Sequence, residues 1–143
     1  MTSKFWVKLV QCFNHCLFQV IDLGLAVEIP AGASSVQVEN VQGTEPFLAP
    51  ECFTSQVVVK ENKSLFLTTL TQAVDVWALG VLLLHLIPLT GDIPSPTLPI
   101  NFILTRVAWN LDTIPGLSEL LSSCLKMNPD ERPQAKHLIK TRW

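Results

Sequence analysis

The longest apolar block in the chain runs from Ala73 to Leu89, A-V-D-V-W-A-L-G-V-L-L-L-H-L-I-P-L. Between Val74 and Ile87 only Asp75, Gly80 and His85 interrupt it. A helix that is apolar on all sides must be surrounded by protein or by lipid. Val74 to Ile87 at about 1.5 Å per residue spans roughly 21 Å, short of the ~30 Å hydrocarbon core of a bilayer, which leaves protein. Pro88 closes the run, because it has no N–H to donate and its ring crowds the preceding turn. A strand is the rival reading of any continuous apolar run, and here length and the leucine series favour helix. The expectation is a central buried helix with the other elements packed around it.

Such a helix needs a core to sit in. With 143 residues the chain is one domain at most, and a chain of this size buries roughly 68–70% of its unfolded surface. Hydrophobic residues make up 48% and charged residues only 15%, against about 25% charged in average proteins. That balance fits a surface partly covered by something else, or a piece of a larger fold. A net charge of −2 supplies no basic field, so no nucleic-acid partner is expected. Cys12, Cys16, Cys52 and Cys124 are too irregularly spaced for a disulfide framework. Cys12, His15 and Cys16 are close in sequence, but a structural zinc site wants four ligands, and the cysteines read as small buried hydrophobes. Lys8, Gln11, Asn14 and His15 interrupt any signal-peptide core. No signal, no membrane span and an intracellular setting, cytoplasmic or nuclear, are expected.

In chain order, residues 1–19 are expected to form a short helix with Phe5, Leu9, Cys12, Phe13 and Cys16 on one face. Residues 20–29 read as two short strands with a tight turn at Asp22–Gly24. Residues 30–40 read as a mobile loop, 43–51 as a compact Pro-punctuated segment, and 52–72 as looser, with a polar knot at Lys60–Ser64. Pro88, Pro94, Pro96 and Pro99 mark an extended connector, and 101–109 a short helix. Leu117, Leu120, Leu121, Cys124 and Leu125 recur at helical spacing and predict an amphipathic helix. Pro129 and Pro133 bracket a charged turn, Asp130-Glu-Arg132, before a last helix with Ala135, Leu138 and Ile139 inward.

Four separated stretches resemble one family in the right order. Asp22-Leu23-Gly24 resembles the Asp-Phe-Gly that opens a protein kinase activation segment. Gly43-Thr44-Glu-Pro-Phe-Leu-Ala49-Pro50-Glu51 resembles the Gly-Thr-x-x-Tyr-x-Ala-Pro-Glu that closes it. Asp75-Val-Trp77-Ala-Leu-Gly80 is similar to the Asp-Val-Trp-Ser-Leu-Gly of the long buried helix of the kinase C-terminal lobe. Asn128-Pro-Asp-Glu-Arg132-Pro133, followed by a helix, is similar to the family's Asp-Pro-x-x-Arg-Pro and closing helix. The resemblance covers residues 20–143, and the Gly-Thr points to the serine/threonine branch.

The resemblance implies roles. Asp22 falls on the position that binds the magnesium bridging the ATP phosphates, a carboxylate being the oxygen ligand that ion prefers; without the family, it reads as a turn aspartate capping its own backbone. Leu23 stands where Phe is usual and keeps the position apolar, so its packing is expected to survive. Glu51 and Arg132 fall on positions that form a buried ion pair, a structural role; read alone they are two surface charges. Thr44 falls where kinases hold the substrate-facing loop, or is a plain turn threonine. Asp75 falls on the aspartate that holds the catalytic-loop backbone, and by its own chemistry it is an acid near a helix start, favourable to the dipole and available as a cap. Ser34 and Ser35 lie where kinases are often phosphorylated, but the arginine that would order a phosphate there is missing, so they read as loop residues.

The absences weigh as much. The sequence contains no Gly-x-Gly-x-x-Gly and no His-Arg-Asp-x-x-x-x-Asn, which phosphoryl transfer in this family requires together with a strand lysine. No catalytic residue is therefore assigned. Cys16-Leu-Phe-Gln19 is what a pyrimidine-rich splice acceptor ending in CAG would encode, so residues 1–19 are expected to be a non-family extension and 20–143 a partial kinase domain. The resulting expectation is a mainly α fold, a truncated kinase-like C-terminal lobe around the central helix with a short β-hairpin-like start. Mg2+ and ATP belong to a complete parent, and none is expected on this chain alone. The expected partners are a protein substrate or a protein ligand, with oligomeric state left open. A noncatalytic, pseudokinase-like binding module is the alternative.

Overall fold

The computed structural model describes residues 6–12, 15–21, 23–60, 63–86 and 115–138. The predicted connector at 88–99, the helix at 101–109, Asp22 and Ile139 lie outside these residues. Strands β1 (Trp6–Cys12) and β2 (His15–Ile21) pair antiparallel, with Trp6 opposite Ile21 and Cys12 opposite His15. A second sheet has the order β3-β5-β4, from β3 (Val36–Val38), β4 (Gln56–Lys60) and β5 (Lys63–Leu70), all antiparallel. Then follow helices α1 (Ala73–Leu86), α2 (Leu117–Cys124) and α3 (Ala135–Leu138).

The expected mainly α class is overturned by these five strands in two antiparallel sheets among the described residues; the architecture is mixed α and β. Residues 1–19 do not form the expected helix where they are described, but β1 and most of β2. The expected strand pair at 20–29 is also corrected: β2 ends at Ile21, and Leu23–Pro30 contains turns but no strand. The apolar residues at 5, 9, 12, 13 and 16 match a helical stripe, yet β-branched and aromatic neighbours serve a strand as well. The expected loose stretch at 52–72 is a hairpin. Val57, Val58 and Val59 suit the pleat, and β5 sets Phe66 opposite Val57 and Leu65 opposite Val58.

Helix α1 forms where the apolar block begins. Thr71 caps it, its Oγ1 accepting from the Ala73 N–H at 3.2 Å, so Asp75 is not the cap. Burial is confined to one side. Val76, Trp77, Gly80, Val81 and Leu84 are buried, while Asp75, Leu79 and His85 are exposed. The expectation of burial all round is corrected accordingly: the described neighbours cover a stripe, not a cylinder. On that stripe sits the core, completed by Ala49, Leu117, Leu121, Cys124 and Leu125. The i, i+4 and i+7 positions of α2 supply three of these, as its period requires, and its C-cap Leu125 supplies the fourth. Ala135 is exposed rather than inward, and in α3 only Leu138 packs against the core.

Candidate functional site

The segment from Gly43 to Phe53 is two tight 3-10 turns, Glu45–Phe47 and Pro50–Phe53. Each has a proline in its first positions, where the missing N–H costs nothing and the fixed φ is already helical. Thr44 is exposed and precedes the first turn, its carbonyl accepting from the Phe47 N–H at 2.9 Å. Phe47 stacks on the His85 ring of α1 with centroids 5.3 Å apart. Ala49 is 1% exposed and is the point where the segment enters the core. Pro50 follows, and the second turn then aims Glu51 at α1 and the loop after α2.

There Glu51 meets Arg132. Nη1 of Arg132 donates to Glu51 Oε1 at 2.7 Å and Nη2 to Oε2 at 2.8 Å, a bidentate pair. The same nitrogens donate to the carbonyls of Ala73 at 3.0 Å and Met127 at 3.3 Å, and Nε donates to the Lys126 carbonyl at 2.7 Å. All five guanidinium N–H groups are thus satisfied. The Arg132 side chain is 0% exposed and that of Glu51 14%. Burial of a charge on this scale is tolerable only with such complete pairing. The clamp ties together three places: the end of the 43–53 segment, the first residue of α1, and the turn after α2. That turn, a 3-10 helix at Pro129–Glu131, is held by Asn128, whose side chain accepts from the Asp130 N–H at 3.1 Å.

Trp77 of α1 lies under the clamp, with Arg132 Cζ 5.0 Å from its ring centroid, in range for a cation–π contact. Its indole N–H is buried and finds no acceptor among the described residues. Gly80, one turn on, lets α2 approach: a Cβ there would lie 2.9 Å from Cys124 Cβ and 2.9 Å from Leu125 Cδ2.

The other predicted positions fall elsewhere. Leu23 is 66% exposed, so the expectation that it keeps a packed position is corrected; Gly24 is exposed beside it, in a turn where the Ala26 N–H donates to the Leu23 carbonyl at 3.0 Å. Ser34 is exposed and Ser35 half-buried. Asp75 is exposed as a whole, yet its surroundings desolvate the carboxyl enough to push its pKa up. With the folded value above the unfolded one, the folded chain binds the proton more readily, and this group adds stability as the pH falls through the folded value. What the sequence reading missed is mostly backbone. The carbonyls of Ala73, Lys126 and Met127 carry no side-chain signature, whereas Thr71, a hydroxyl just ahead of an apolar run, was a readable cap.

Burial pushes the thiol of Cys52 up, opposed by a hydrogen bond from the Ala49 backbone, and it does the same to the thiol of Cys124, opposed by Ser123. Since the thiolate is the nucleophile, Cys124, at 0% exposure, should resist iodoacetamide at neutral pH in the folded chain and react on unfolding. Peptide mass spectrometry with and without denaturant checks this; labelling of folded Cys124 at the rate of a free thiol would contradict it.

Beside the clamp a hollow of ≈ 240 Å³ is lined by Glu51, Thr54, Gln56, Thr69, Thr71 and Pro129, smaller than the roughly 300–1,000 Å³ of ligand pockets. A family model described as protein kinase domain matches residues 9–143. The chain belongs to the protein kinase domain family. Mitogen-activated protein kinase kinase kinase 8 of Rattus norvegicus is 28% identical over 131 residues, which are 85% of this chain and 25% of that protein. The kinase-family chain therefore spans about a quarter of the length of that curated relative. Within it the clamp joins the second and the fourth of the resembling motifs. No helix among the described residues is long and apolar enough to cross a membrane.

Proposed function

We propose that, within the family match at 9–143, residues 20–143 are the activation segment and C-terminal lobe of a serine/threonine protein kinase domain. The parent form transfers phosphate from ATP to protein serine or threonine, and this polypeptide alone does not. The observation that carries the reading is the Glu51–Arg132 clamp. It seats the Ala49-Pro50-Glu51 segment on the helix that carries Asp75, Trp77 and Gly80, the arrangement a substrate-facing loop needs if it is to be held on a rigid base. Asp22 is the residue assigned to the magnesium of the complete parent. It lies outside the described residues, and no group of three or more His, Cys, Asp or Glu side chains is disposed to hold a metal among those described.

Purified, chaperone-free chain given labelled ATP and Mg2+ is expected to incorporate no label into itself or a generic protein substrate. Metal-dependent incorporation that disappears in Asp22→Ala would overturn this. A transcript joining Val20 to upstream exons that encode a strand lysine and His-Arg-Asp would support the catalytic parent. One observation favours the noncatalytic alternative, a pseudokinase-like protein-binding module: Val57, Val59 and Phe66 are 59%, 68% and 61% exposed on the β4–β5 hairpin. Single large apolar residues at a surface are ordinary, but a contiguous strip marks a contact surface.

A further inference from the structure

Strand β4 is the outer strand of the β3-β5-β4 sheet, and no described strand pairs with its far side. An edge of this kind presents a row of free backbone N–H and C=O groups, and proteins commonly protect it with proline, charge or a bulge. Gln56-Val-Val-Val-Lys60 has no proline and only its terminal lysine as a charge. Val57 and Val59 share one face of the strand by its two-residue period, and Phe66 stands opposite Val57 on that face.

We propose that a second copy of this chain pairs with this edge, β4 against β4, antiparallel about Val58. The backbone edge asks for an extended strand, and two features select a copy of this one. The first is self-complementarity. Centred on Val58, the pairing sets Val57 against Val59 of the second copy and Gln56 against its Lys60, so no like charges face each other, and the two apolar strips become one. The second is charge complementarity. The sequence at the hairpin tip is Lys60-Glu-Asn-Lys63, with Lys60 and Lys63 partners in register, and it carries one net positive charge. The antiparallel pairing carries that tip to the base of the other copy's β4. There Thr54 and Gln56 share a hollow with Pro129, whose turn bears Asp130 and Glu131, both exposed. The basic tip of each copy thus approaches the acidic turn of the other. Three exposed apolar side chains per copy are well below the roughly 800 Å² per partner of a standard interface, so the pairing is weak and concentration-dependent. It requires nothing of the catalytic reading.

Sedimentation equilibrium of the full chain, with amide hydrogen exchange at low and high concentration, tests this. A monomer–dimer equilibrium is expected, with slowed exchange at residues 56–60 in the dimer and weaker association at high salt. Val57→Lys/Val59→Lys sets like charges opposite each other twice and should weaken association by about tenfold or more. Asp130→Asn/Glu131→Gln, which leaves the sheet untouched, should weaken it severalfold and keeps the test valid if the lysine variant misfolds. A chain that stays monomeric up to its solubility limit, an open-ended aggregate, or a dimer indifferent to the charge variant and protected elsewhere would each overturn the proposal. So would a monomeric chain that binds a synthetic strand of residues 54–61, since the edge would then serve a peptide.

Discussion

Arg132→Ala is expected to lower folding stability by about 3–5 kcal/mol, because the variant leaves Glu51 with a largely buried carboxylate and no counter-charge. The loss extends beyond one ion pair. The carbonyls of Ala73, Lys126 and Met127 lose their donor as well, and an acceptor left unpaired in the interior costs roughly 1–3 kcal/mol unless water replaces the partner. Trp77 loses the cation above its ring. Arg132→Lys should recover only part of the stability, since one ammonium cannot reproduce a two-pronged contact to the carboxylate and three further hydrogen bonds. Urea unfolding followed by tryptophan fluorescence measures this. With Arg132→Ala, the variants Glu51→Ala and Glu51→Ala/Arg132→Ala close a double-mutant cycle. If the pair is coupled as the geometry requires, the double variant is less damaged than the sum of the singles. A double variant equal to that sum would show that Glu51 and Arg132 contribute independently.

Gly80→Val is expected to destabilise the chain by about 1–3 kcal/mol through overpacking, even though leaving glycine in a helix interior improves intrinsic helix propensity. The gain for Gly to Ala is about 1 kcal/mol, and valine recovers less of it because its branched side chain loses rotamer freedom in a helix. Against that gain stands the contact of α1 with α2. A Cβ at position 80 would sit 2.9 Å from Cys124 Cβ, which is close to the backbone and cannot swing away, and 2.9 Å from the more flexible Leu125 Cδ2. Gly80→Ala should therefore lie between wild type and Gly80→Val, and Cys124→Ala, which keeps the obstructing Cβ, should not rescue it. Chemical denaturation of the three variants orders them. A Gly80→Ala chain more stable than wild type would mean that the helices separate at little cost and that propensity decides the site.

Much of the helical part was legible in the sequence. The Ala73–Leu86 helix announced itself by a block too long for a typical strand and too short for a membrane, and α2 by its period. The Glu51–Arg132 positions were readable only through the resembling motifs, because 81 residues separate them and no local pattern links charges at that distance. The β4–β5 hairpin was obscured by Lys60-Glu-Asn-Lys-Ser64, a polar run that looks like a loop until the valines on one side find Leu65 and Phe66 on the other. The start of the chain read as a helix from its apolar stripe, and the pairing between β1 and β2 overrode that local pattern.

By itself, then, the sequence determined that the apolar block at 73–86 and the periodic stretch at 117–124 are helical, and which motifs occur in which order, since these depend on neighbours along the chain. Tertiary structure alone decided which side of α1 is covered, that Leu23 faces solvent, and that Arg132 is satisfied by three carbonyls as well as by Glu51. Hydrogen-bond acceptors on the backbone are the same at every residue, and a periodic pattern states that a face is apolar without naming what lies against it. Only the folded chain supplies that partner.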